Sequence, residues 1–188
     1  SYIYQLERQI ISILLKYGAE EIQFEDIILN KDEDGKLVEI KKNIRSKVFE
    51  KIYLDLQQDE IEFTHSPFKS IYKNLIDSFH NQESVSIDNF INDLDSNSSK
   101  IVSDILINDD KYQLHDWERK NIYVKKIGSE LSQLVNETIL NMRRYLIDKK
   151  INELQESKKD NDKGDVLEEV MSYYKLKKML SAKLNRVV

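Results

Sequence analysis

No cysteine occurs in this chain, which removes disulfides, thiolate metal sites and a cysteine nucleophile at once. Proline appears once and glycine four times. So little of either leaves no Gly-rich phosphate loop and no G-x-S-x-G elbow, and it is the balance of a helical protein. No apolar run approaches the ~20 residues that a bilayer-spanning helix needs. The opening SYIYQLERQIISILLKYG reads as an amphipathic helix and not as a signal peptide. The expected setting is the cytoplasm, without membrane contact. Ser1 stands directly before a helical pattern, so the chain is expected to be a piece of a longer protein.

What is present fits one domain with an appendage: 188 residues, of which 34% are charged. The net charge of −5 is unevenly placed. Residues 164–188 sum to +2, residues 129–163 balance, and residues 1–128 carry −7. The body is acidic and the end of the chain basic.

Along the chain, Ile3, Leu6, Ile10, Leu14 and Tyr17 form one helical stripe, widened by Ile11 and Ile13. Gly18 follows, where a helix C-terminus favours a left-handed residue. Residues 19–36 lose the helical period and end in an acidic turn, read as a strand-like loop. Ile40, Ile44, Val48 and Ile52, four apart, predict a second helix over residues 37–58. Ser66 as N-cap and Pro67 at the first helical position open a third, with Phe68, Ile71, Leu75 and Phe79 buried. Two short helices follow in SIDNFINDL and NSSKIVSDILI, separated by the Asp95-Ser96-Asn97 turn. Residues 108–128 read as a connection with some helical content that ends at Gly128.

From Ser129 a helical pattern runs to about Lys159. Leu131, Leu134, Val135, Thr138, Ile139, Met142, Tyr145 and Leu146 share one face, whereas Ile147, Ile151 and Leu154 lie nearly opposite. A helix whose apolar stripe changes sides near residue 146 needs two partners along its length. The first half is expected to pack on the body, and the second on a last helix that opens at Asp165 with a capping-box-like Asp165-Val-Leu-Glu168. QESKKDNDKGD, residues 155–165, is the turn between them. The fold class expected is all-α: a compact helical bundle over residues 1–127, followed by a long C-terminal helical hairpin over residues 128–188.

Candidate chemistry is sparse. Glu62-Phe-Thr-His65, echoed by Asp77-Ser-Phe-His80, has metal-ligand spacing but ends just before Ser66-Pro67, outside the helix. A di-iron bundle needs such pairs inside helices. His115 beside Asp116 and Trp117 has no nucleophile motif near it, and Trp117 reads as an anchor of the connection. Arg143-Arg144-Tyr145 and Tyr173-Tyr174-Lys175-Leu176-Lys177-Lys178 mix basic and aromatic groups as nucleic-acid surfaces do. Acids at Glu137 and Asp148 flank the first, so a solvated helix face is the simpler reading. No catalytic residue, cofactor or metal is expected. The favoured site is a protein-docking face on the last helix, made of Tyr173, Tyr174, Lys177, Lys178, Met179, Leu180 and Leu184.

The order LERQIISILLKYG, Phe63-Thr-His-Ser-Pro67-Phe-Lys-Ser-Ile71-Tyr, Val85-Ser-Ile-Asp-Asn-Phe and a long two-helix end resembles the C-terminal helicase-binding domain of bacterial replicative DNA primases. The likeness is closest to the Bacteroidetes type and spans nearly the whole chain. The resemblance implies a non-catalytic domain that docks on the N-terminal domains of the hexameric replicative DNA helicase, recruits primase to the replication fork and modulates the helicase. Nucleic acid would be reached only through that complex. The segment from Phe63 to Tyr72 is also similar to the N-terminal domain of the replicative helicase itself, which is the alternative within the same system. A single-stranded nucleic-acid binder using the basic end of the chain is the alternative outside it.

Overall fold

Polar and apolar residues alternate in Glu21-Ile22-Gln23-Phe24-Glu25, the period of a strand. In the computed structural model they open one. β1 (Glu21–Lys31) pairs antiparallel with β2 (Leu37–Lys47), placing Phe24 opposite Ile44 and Ile22 opposite Ser46. This ribbon corrects the all-α expectation and the helix expected over residues 37–58, because α2 begins only at Val48 and ends at Gln58. The reason is arithmetic. A four-residue spacing such as Ile40 to Ile44 fits one face of a helix, and it is also two full periods of a strand.

The turn is set by Asp32. Its side chain accepts from the backbone N–H of Asp34 at 3.0 Å and of Lys36 at 2.7 Å, and its carbonyl accepts from Gly35. Gly35 adopts φ +76°, which favours glycine.

The structure describes residues 1–82, 85–113, 120–157 and 165–187, with side chains except at 27–29, 109–113, 120–128 and 180–187. The remaining helices are α1 (Tyr2–Tyr17), α3 (Ser66–Asn81), α4 (Ile87–Asp93), α5 (Ser96–Gln113), α6 (Lys120–Ser157) and α7 (Asp165–Val187). Two boundaries move. α5 runs on to Gln113, and α6 starts at Lys120 and passes through Gly128 without a break, so the connection expected over residues 108–128 is mostly helix. His115 and Trp117 lie outside the described residues, as does most of the 155–165 turn.

α1 is the central helix. Ile10, Ile11, Ile13 and Leu14 are essentially inaccessible, so its middle is covered on nearly every side. α2, α3, α5 and the first half of α6 do the covering. β2 passes into α2 with no loop, and the first α2 amides, at Val48 and Phe49, donate to the carbonyls of Glu20 and Gly18. Lys51, buried, ties the base of β1 to α2 through Asp26 at 2.9 Å and Asp55 at 2.8 Å.

Gly18 is not left-handed: its φ is −54°. Its role is space. A Cβ there would lie 2.3 Å from Phe79 Cζ and 2.5 Å from the Leu14 carbonyl oxygen. Phe79 is itself stacked on Phe49 with ring centroids 5.0 Å apart, so the ring has nowhere easy to go. Gly18→Ala is expected to lose about 1–3 kcal/mol, the usual cost of overpacking, outweighing the ~0.5–1 kcal/mol that alanine would otherwise gain in a helical conformation. Urea unfolding of both proteins measures this; equal or higher stability of the variant would contradict it.

The change of face along α6 is present. Leu131, Val135, Ile139 and Met142 join the body core, with Tyr145 and Leu146 packed against it. Leu140, Ile147 and Ile151 form a separate small core with Val170 of α7, flanked by Leu154, Val166 and Tyr173. α7 packs chiefly on α6, so the hairpin has a core of its own. At ~1.5 Å per residue α6 is ~57 Å long, and its first half belongs to the body. Of the residues expected on the body face, Leu134 alone remains substantially exposed.

Candidate functional site

On α7, Val166, Val170, Tyr173 and Lys177 fall at spacings of three and four and face α6. Lys177 Nζ meets Asp148 Oδ1 at 2.5 Å across the hairpin. Tyr173 is half-buried against the Ile147 and Val170 core. Two of the residues expected to meet a partner therefore hold the hairpin together.

Beside that closed face runs an open one. Leu167, Met171 and Tyr174 lie four and three residues apart, with exposures of 51%, 54% and 49%, and Lys178 continues the stripe one turn on. The Tyr174 hydroxyl accepts a long hydrogen bond, 3.5 Å, from Gln155 Nε2, which steadies the ring over the hairpin seam. Met179 is exposed as well, but on another side of the helix, near Leu176. Leu180 and Leu184 are on α7, with side chains outside the described set. Sequence reasoning missed Leu167 and Met171. The signal was there, three and seven residues before Tyr174.

The other candidates resolve differently. Arg143 pairs with Asp59 at the end of α2, and Tyr145 packs on the body core, so Arg143-Arg144-Tyr145 is a joint between α6 and the body. This replaces both the solvated-face and the nucleic-acid readings of that stretch.

Glu62 and His65 turn to separate partners. Glu62, at the surface, pairs with Lys69 at 2.9 Å, and the hydrogen bond from that ammonium holds its carboxyl below the usual range. His65 Nδ1 meets Glu7 Oε2 at 2.6 Å. His80 sits edge-on to Phe49 and Tyr53. No group of three or more potential metal ligands occurs among the described residues.

Glu7 is the unexpected residue. Fully buried on α1, it accepts from Thr64 N at 2.5 Å, Thr64 Oγ1 at 2.8 Å and His65 N at 3.2 Å, in addition to its contact with the His65 ring. His65, not Ser66, occupies the N-cap position of α3 and makes no side-chain cap bond. Glu7 anchors the segment leading into α3 from a distant helix. Its carboxylate and the His65 ring use the same ring nitrogen as the nearby Thr64 hydroxyl, so the three do not form a relay from base to nucleophile. The cluster is structural.

Asp95 caps α5 in the conventional way, accepting from Asn97 N and Ser98 N at 3.0 and 2.9 Å and from Ser98 Oγ at 2.7 Å. The hydrogen bond from the Ser98 backbone leads in holding its carboxyl below the usual range. Burial pushes the Tyr72 hydroxyl in the opposite direction. No helix among the described residues is long and apolar enough to cross a membrane.

The chain belongs to the family described as a domain of unknown function, DUF8430, which matches residues 1–187. No curated protein and no solved structure matches it.

Proposed function

We propose that this member of the DUF8430 family is a non-catalytic docking module, and that the open face of α7 is where its partner sits. The observation that carries this is the stripe of Leu167, Met171 and Tyr174, half exposed on a helix whose opposite face is already committed to α6. Single exposed apolar residues are ordinary, but three in register with a lysine at the end have the composition of an interface centre. Rigid backing by the hairpin core keeps the ordering cost of binding low. Lys178 and Lys175 make that side basic and favour an acidic partner surface.

The resemblance to primase helicase-binding domains names the partner to try first: the N-terminal domains of a replicative DNA helicase, in the cytoplasm, at the fork. In that role the chain recruits primase and modulates the helicase, and contacts nucleic acid only through the complex. The exposed Tyr174 between Lys175 and the Lys177-Lys178 pair favours one second reading, single-stranded nucleic-acid binding by stacking and charge.

A pull-down separates these. The full chain is expected to retain the helicase N-terminal domain, and a chain ending at Ser157 to lose it. Ser157 is the right end point because Leu131, Val135, Ile139 and Met142 belong to the body core and must stay. Retention without α7 would sink the docking role. Tight binding of a labelled single strand, with a steep dependence on salt, would move the assignment to the second reading.

A further inference from the structure

The ribbon of β1 and β2 offers a second surface, independent of α7. Its sheet has two strands, so one edge of β2 has no strand beside it among the described residues. β2 packs mainly with β1 and, at its end, with α2, whereas β1 is the strand that also lies on α6. Every described side chain from Asn30 to Asn43 is exposed, including Leu37 at 67%, Val38 at 42% and Ile40 at 46%.

The charge on β2 is one-sided. Leu37–Lys47 carries Lys41, Lys42, Arg45 and Lys47 against the single acid Glu39. On its paired side this suits an acidic neighbour: Lys41 meets Glu25 at 3.0 Å and Arg45 meets Glu21 at 3.7 Å. Lys42 stands opposite Asp26 in the register, but Asp26 turns to Lys51, and Lys42 has no ion-pair partner among the described residues. Side chains on a strand are shared by the neighbours at both of its edges. The features that select β1 on one side are therefore also presented on the other.

We infer that the free edge of β2 takes up an extended acidic segment of a partner protein as a third strand. Backbone hydrogen bonds along the edge supply affinity, and the lysines and arginine select carboxylates at alternate positions. Edge lysines also serve simply to prevent unwanted pairing. Three exposed aliphatic residues beside them are what a purely defensive edge would omit. A second copy of β2 is the wrong occupant, since it would set like charges against one another. The ribbon as a whole, with Asp32, Glu33 and Asp34 at its turn, is not a basic arm, which disfavours nucleic acid.

The natural probe is a labelled peptide with the sequence of β1, Glu21–Lys31, titrated against the full chain at low salt. Saturable binding is expected. It should weaken roughly ten-fold when Glu21 and Glu25 of the peptide become Gln and Asp26 becomes Asn, and by a similar factor when the chain carries Lys41→Gln with Lys42→Gln. Hydrogen exchange should show new protection within residues 37–47 while β1 of the chain stays protected. Four results overturn the inference: no saturation at millimolar peptide, equal binding of the amide peptide, loss of protection in the chain's own β1, or dimerisation of the chain through β2. Capture of a short DNA strand by the same lysines in place of the peptide overturns it in favour of nucleic acid.

Discussion

Glu7→Ala should cost this protein about 3–5 kcal/mol of stability, the larger of the two effects argued here. Glu7 is fully buried, and four polar atoms converge on its carboxyl group within 3.2 Å: two backbone amides, one hydroxyl and one ring nitrogen. Removing the carboxyl leaves those partners short of an acceptor inside the fold, at ~1–3 kcal/mol for each one that water cannot reach. It also opens a cavity beside α1, and the segment that leads into α3 loses its anchor. For a domain of this size the melting temperature should fall on the order of 10 °C. Glu7→Gln keeps one acceptor oxygen and the volume, so it should lose less, about 1–3 kcal/mol. Urea unfolding of the three proteins gives the comparison. An Ala variant within experimental error of the parent would show that the cluster is not a structural anchor.

Ile151→Asp is expected to release α7 while leaving the body folded. Ile151 is 3% exposed at the centre of a small core whose other buried members are Leu140, Ile147 and Val170. Burying one such side chain stabilises by ~1.5–3 kcal/mol, and an unpaired carboxylate in its place adds a desolvation cost that the hairpin avoids by opening. Each ~1.4 kcal/mol is a factor of ten in the opening equilibrium. Hydrogen-exchange protection over residues 165–179 should therefore fall roughly 10- to 100-fold. Protection in α1 and α3 should be unchanged, because their core does not include Ile151. Equal losses in α1 would mean that the two cores unfold as one unit and that the hairpin has no independence.

That separation was legible in the sequence because a helix converts residue spacing directly into direction. Leu131 through Leu146 on one side and Ile147, Ile151 and Leu154 on the other could be placed by counting alone. The ribbon was harder. Ile40 and Ile44 satisfy the helix and strand periods equally, and the deciding cue was weaker: alternation in Glu21–Glu25 followed by an Asp-x-x-Gly turn at Asp32–Gly35. Gly18 shows the same limit from another side. Its position at a helix end suggested a left-handed cap, whereas its reason lies in the ring of Phe79, far along the chain.

Glu7 was invisible for that reason too, since its partners Thr64 and His65 are 57 and 58 residues away. The docking face was half legible. Aromatic and basic residues drew attention to Tyr173, Tyr174, Lys177 and Lys178, but sequence does not say which side of α7 closes on α6. Packing divides them: Tyr173 and Lys177 inward, Tyr174 and Lys178 outward, with Leu167 and Met171 completing the outward stripe.

The outward stripe is the centre of the functional account, and alanine at Leu167, Met171 and Tyr174 together tests it without disturbing the helix, since alanine is the best helix former. The three side chains touch solvent and not the hairpin core, so thermal unfolding should be unaltered. Titrated against the N-terminal domain of the replicative helicase, the intact chain should bind, and the triple variant should bind at least about ten-fold more weakly, as expected when interface-centre residues are truncated. Equal affinity of the two chains, or no binding by the intact one, would contradict the assignment of α7 as the face that docks on the helicase.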